Sequence, residues 1–140
     1  MIEKTINLEF DGYWRDEKKA LTPDSSGIYC VYAAIFNESK KTVSIKRLIY
    51  IGESESVKHR LANHERSADW KKHLKSGEIL CYSVAEVPGE DRLRCKALLI
   101  NHTKPPENSE YTADFPHNKT TINTTGCKSW LPKSCSSGNP

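Results

Sequence analysis

Residues 28–36 read IYCVYAAIF, nine positions with no charged side chain. Consecutive β-branched and aromatic residues over so short a span suit a buried strand. A turn sequence, PDSSG, occupies residues 23–27, and a polar loop, NESKKT, occupies 37–42. Residues 43–52 then resume a strand pattern that ends in LIYIG. Two such strands joined by a short polar loop predict an antiparallel hairpin, around which the rest of the chain must organise.

The flanking segments are read in the same way. Ile6, Leu8 and Phe10 alternate, which predicts a short strand ending at Asp11-Gly12. Residues 54–66 suit a helix with Val57 and Leu61 on one face and Ser54 or Ser56 at its start. A second helix over 68–76 presents Trp70 and Leu74 and stops at Gly77. EILCYSVAEV at 78–87 is a third strand, and Pro88-Gly89 turns the chain into a helix over 90–102. Glu90 and Asp91 fall in the first turn of that helix, where its dipole favours anions, and Lys104-Pro105-Pro106 ends it. Beyond it, Thr120-Thr121-Ile122 is expected to add an edge strand, and residues 135–140 a frayed tail.

This order predicts an α+β fold in which a small, mostly antiparallel three-stranded sheet is flanked by helices. The chain has 140 residues, which suits one domain able to bury its own core without a disulfide or zinc staple. The expected organisation is a central domain over 23–108, an N-terminal extension over 1–22 with its short strand, and a partly irregular C-terminal extension over 109–140.

Charge and cysteine usage narrow the functional classes. The net charge of +3 permits an anionic partner without demanding one. Cys30, Cys81, Cys95, Cys127 and Cys135 are odd in number, irregularly spaced and lack a C-x-x-C pair, which suits reduced thiols in a cytoplasmic protein. No apolar run approaches the roughly 18 residues of a membrane span, so no membrane association is expected.

The chemistry-bearing residues form one constellation. Gly27-Ile28-Tyr29 opens the first hairpin strand, and Tyr50-Ile51-Gly52 closes the second. Arg60 and His64 follow four residues apart, on one face of the next helix. Downstream, Lys104-Pro105-Pro106-Glu107-Asn108 is a proline-rich stretch ending in Asn. Over residues 25–108 this pattern resembles the GIY-YIG nuclease family, which includes homing endonucleases, restriction enzymes and repair nucleases. The interval between the two tyrosines is longer than usual for that family, and the NESKKT loop absorbs the excess.

The resemblance implies a DNA endonuclease using Mg²⁺ or another divalent metal. Tyr29 would serve as base or hydrogen-bond relay if its phenol pKa were lowered. Arg60 would grip phosphate oxygens with its planar fork. Tyr50 and His64 would orient the nucleophile or shuttle a proton, and Asn108 would match the functional Asn. Gly52, His73, Lys71 and Lys72 are candidate substrate contacts, the lysines acting on the DNA backbone.

One position departs from the family. The segment RCKALLI at 94–100 places Lys96 where the resemblance expects the metal-ligating Glu of an E-A-x-L-I pattern. An ammonium repels a divalent cation, although it can bind phosphate as a point charge. Glu86 and Glu90 lie on the wrong element or more than a turn away, so neither is expected to replace the ligand. The expectation is an endonuclease domain inactive as written, its specificity supplied by the domain itself, residues 109–140 or a homodimer partner. The alternatives are a degenerate DNA binder and a protein-interaction module reusing the fold. Taken singly, each residue has a plainer reading: strand tyrosines, a solvated helix face, and a Lys96 whose stem snorkels over apolar surface.

Overall fold

A computed structural model describes residues 3–111, 115 and 119–137. The hairpin is present and longer than its apolar core: β2 spans Gly27–Asn37 and β3 spans Thr42–Ser54, paired antiparallel. The first eight residues of β2 are all buried. Its odd-numbered side chains face one layer of the core and its even-numbered ones the other, which is why the strand reads as a continuous apolar run.

The small three-stranded sheet is overturned. β1 (Lys4–Arg15), β2, β3, β4 (Ile79–Glu86), β5 (Thr120–Gly126) and β6 (Ser134–Ser136) form one six-stranded mixed sheet, curled into a half-barrel in the order β3-β2-β4-β1-β5-β6. All pairings are antiparallel except β1 with β5. Two sequence signals account for the difference. β1 continues past Asp11-Gly12 through a register shift against β4, so the turn residues mark an irregularity rather than an end. β5 is TTINTTG, whose buried positions Thr120, Ile122 and Thr124 include only one hydrocarbon side chain, so its alternation is nearly silent on a hydrophobicity scale. The tail expected from residue 135 instead contributes Cys135 and Ser136 to β6, while residues 138–140 lie outside those described.

Helices are correspondingly few. α1 (Val57–Ala62) and α2 (Ser67–Lys71) are single short pieces, and only α3 (Gly89–Thr103) is long. α3 buries Cys95, Leu98 and Leu99 against Ile28, Cys30 and Tyr32 on one face of the sheet. α1 and α2 bury Val57, Leu61 and Trp70 against Tyr29, Val31 and Tyr50 on the other. All five cysteines are free thiols, and no described helix is long and apolar enough to cross a membrane.

β3 is the end strand of the sheet, but its outer edge is covered at one point. Glu107 N–H donates to the Ile49 carbonyl, and the Asn108 amide pairs with both backbone groups of Ile51. The stretch after α3 is thereby stitched beside the Tyr50-Ile51-Gly52 segment of the strand.

Candidate active site

Both glycines of the motif are demanded by packing. A Cβ on Gly27 would collide with the Ala85 carbonyl of β4, and one on Gly52 with the Cζ and Oη atoms of Tyr29. Gly52 is therefore the floor on which the Tyr29 ring lies, a role not visible in its residue type alone. Tyr29 is 1 % exposed and Tyr50 8 %, with ring centroids 6.2 Å apart.

His64 joins them from the loop after α1. Its ring lies 6.0 Å from Tyr29 and 5.6 Å from Tyr50, and Trp70 from α2 packs against it at 4.3 Å with the rings tilted by 48°. The imidazole tautomer follows from its partners. Nδ1 accepts the Arg66 backbone N–H at 3.0 Å, so the proton of the neutral ring sits on Nε2. Nε2 therefore donates to Tyr29 Oη, 2.8 Å away. Burial, reinforced by the Arg60 charge, lowers the His64 pKa to about 4 and keeps the ring neutral.

Tyr29 is consequently fixed as a hydrogen-bond acceptor from His64, with its own proton free to donate. Burial pushes its phenol pKa upward, an effect that the Tyr50 phenol adds to and Arg60 opposes. The lowered pKa required of a base is not what this pocket provides. Burial raises Tyr50 as well, with the Glu110 carboxylate adding to the effect.

Arg60 lies close enough to Tyr29 to influence it, but its guanidinium is held in a fork by Glu65, at 2.7 and 2.6 Å. That pairing depresses the Glu65 carboxyl to about 2 and raises Arg60. The neighbouring groups repeat the pattern. Arg66, 5.7 Å over the Tyr50 ring, donates to Glu107 at 2.7 Å, and His73 Nε2 lies 2.6 Å from the same carboxylate. Arg92 holds Glu53, next to Gly52, at 2.7 Å. Each arginine at this patch thus faces an internal carboxylate.

Lys96 completes the set. Its side chain is largely covered, and its Nζ lies 3.8 Å from Glu110 Oε2. Glu110 also accepts from Asn108 Nδ2 at 3.3 Å. Mg²⁺ does not fit these donors: Lys96 presents an ammonium, which repels a divalent cation, and a single carboxylate, Glu110, lies beside it. Among the described residues, no group of three or more His, Cys, Asp or Glu side chains is arranged to hold a metal ion.

The structure therefore gathers Tyr29, Tyr50, Gly52, Arg60 and His64 into one patch and sets His73 at its edge. Asn108 is 6 % exposed and spends its amide on Ile51, so it fastens the strand rather than facing a substrate. Lys71 and Lys72 are exposed; Lys72 reaches Asp69, and Lys71 lines a separate depression beside Phe36. Glu86 lies opposite Gly27 at the end of β4, and Glu90 pairs with Lys4. Sequence reading missed Glu65, Arg66, Glu107 and Glu110 as partners at the patch. Glu65 and Arg66 adjoin His64 and Glu107 adjoins Asn108, but Glu110 carries no local signal. No family model, curated protein or solved structure matches this chain.

Proposed function

We propose that this chain is a DNA endonuclease domain of the GIY-YIG kind that, as written, engages the phosphodiester backbone without cutting it. The observation that carries the reading is the convergence of Tyr29, Tyr50, Arg60 and His64 on one patch floored by Gly52. These residues come from two strands, a helix and a loop: Tyr29 and Tyr50 pack in the core beside Trp70, and Arg60 and His64 bring a guanidinium and an imidazole to the same rings. Arg60 exchanges Glu65 for a phosphate, whose oxygens fit the same planar fork. Tyr29, buried and held by the Nε2 proton of His64, forms the floor beneath that phosphate.

Three features support binding over cleavage. Tyr29 is kept protonated by burial, and His64 Nδ1 is occupied by a backbone N–H, so activating water would fall to a divalent metal ion rather than to either residue. Lys96 places an ammonium where the resemblance requires a metal-ligating carboxylate. The test is plasmid nicking in Mg²⁺ by the chain and its Lys96→Glu variant. Nicking by the variant alone is the expected result. Nicking by the unaltered chain would overturn the assigned role of Lys96. No nicking by either, with no DNA retained at low salt, would overturn the reading as a whole.

A further inference from the structure

A groove of about 710 Å³ runs along the outer side of β3, between the end of α3 and the turn before β6. Its lining includes Ile49, Pro106 and Trp130 as apolar surface and Arg47, His73 and Lys104 as basic groups. None of the lining residues is a carboxylate. Glu78 and Glu107, which hold Arg47 and His73, do so from outside the lining. The Lys104 ammonium donates to the Asn101 carbonyl, and among the described residues no carboxylate pairs with it.

Two lining residues adopt a backbone conformation that L-amino acids avoid: Trp130 at φ 71° and Lys104 at φ 48°. Neither is a glycine, and an indole at positive φ is unusual. The turn that carries Trp130 is nevertheless fixed. Ser129 N–H donates to Tyr13 Oη at 3.0 Å, the Tyr32 hydroxyl donates to the Ser129 carbonyl at 2.8 Å, and Leu131 on the other side is buried. Tyr32 from the core and the partly buried Tyr13 thus hold in place a residue that remains 58 % exposed. Burial does not explain the arrangement, since the indole it presents faces the groove and solvent.

The groove also communicates with the tyrosine patch. His73 lines it and contacts Glu107, Glu107 is held by Arg66, and Arg66 lies over Tyr50. Arg66 and Glu107 thus link the groove to the Tyr50 ring of the patch.

We propose that the groove binds an unpaired nucleobase of a DNA strand flanking the phosphate at Arg60, with Trp130 as its stacking platform and Lys104 on the adjoining backbone. The inference rests on the nucleic-acid reading of the tyrosine patch and adds the substrate class: a junction between duplex and single strand. A flat, rigid indole suits any base, because stacking requires only a π-face. A duplex would keep its bases stacked on one another and leave the platform empty.

The test is fluorescence anisotropy at low salt with a labelled blunt duplex and the same duplex carrying a single-stranded thymidine overhang. The unaltered chain is expected to bind the overhang about tenfold more tightly. Trp130→Ala should erase that preference and leave blunt-duplex affinity in place, while Trp130→Phe should retain most of it. Equal affinity for the two DNAs, with blunt binding still dependent on Arg60, would overturn the stacking site alone. Retention of the preference in Trp130→Ala would do the same. Absence of binding to either DNA would remove the patch reading and this inference together.

Discussion

At the scale of single residues, the site is a set of side chains whose chemistry is fixed by their partners. His64 has the clearest consequence. Its folded pKa of about 4 lies below the ordinary 6.5, so the unfolded chain binds the extra proton first as pH falls. The stabilisation associated with the neutral ring is complete above pH 6.5 and is lost as pH falls towards 4. The loss amounts to at most about 3 kcal/mol. Urea denaturation at pH 7 and pH 4.5 should show this loss, and His64→Gln should flatten it. Glu65 gives the opposite kind of test. It occupies the guanidinium that a phosphate would use, so Glu65→Gln should tighten DNA binding about two- to fivefold. A titration showing weaker binding would mean that the fork positions Arg60 for the substrate. Tyr29, Tyr50, Arg60 and His64 were legible in the sequence because their types and order form a recognisable pattern. Their ion-pair partners were not, since a surface Glu such as Glu110 looks the same whether it faces solvent or Lys96.

At the scale of elements, the stitch between residues 107–108 and β3 matters most. Asn108 satisfies the Ile51 N–H at 2.8 Å and the Ile51 carbonyl at 2.9 Å with one amide. Asn108→Ala leaves two buried backbone groups unpaired, which should cost about 2–4 kcal/mol in urea denaturation, with the slope unchanged. A cost below about 0.5 kcal/mol would show that water replaces the amide. The hairpin was readable because β2 is buried on both faces and therefore continuously apolar. α1 and α2 proved shorter than their apolar spacing suggested. Spacing reports which residues face the core, and Leu61 and Trp70 face it whether or not helix links them. The Asn108 stitch had no sequence signal beyond a polar residue after two prolines, which is also the composition of an ordinary turn.

At the scale of the whole molecule, the main correction is the size of the sheet. β1 pairs with β4 on one side and with β5 on the other, so the two ends of the chain meet across one core. Ile122, Leu131 and Cys135 from the C-terminal part are buried in the same cluster as Phe10 and Leu98. Removing residues 119–137 should therefore abolish cooperative thermal unfolding rather than release an intact smaller domain. A sharp transition from the shortened chain would show that β1 to α3 suffice. The parallel β1–β5 pairing was illegible locally, because it joins segments far apart in sequence and β5 is mostly threonine and asparagine. Its burial comes from β1 and α3, not from its own hydrophobicity.

The stitch at Ile49 and Ile51 also bears on how molecules of this protein meet each other. A sheet edge with unpaired N–H and C=O groups invites a strand from a neighbouring copy. Here the part of β3 next to the tyrosines is occupied by the chain's own residues 107 and 108, while the part towards the hairpin tip carries Lys41, Lys46 and Arg47. Covalent continuity shields one half of the edge, and repulsion between the exposed Lys41 and Lys46 of facing copies the other, Arg47 being paired with Glu78. Deamidation of Asn108 would weaken the first safeguard, because the resulting carboxylate cannot donate to the Ile51 carbonyl. The first symptom of an ageing preparation would then be slow self-association through β3, with damage to the tyrosine patch as its companion.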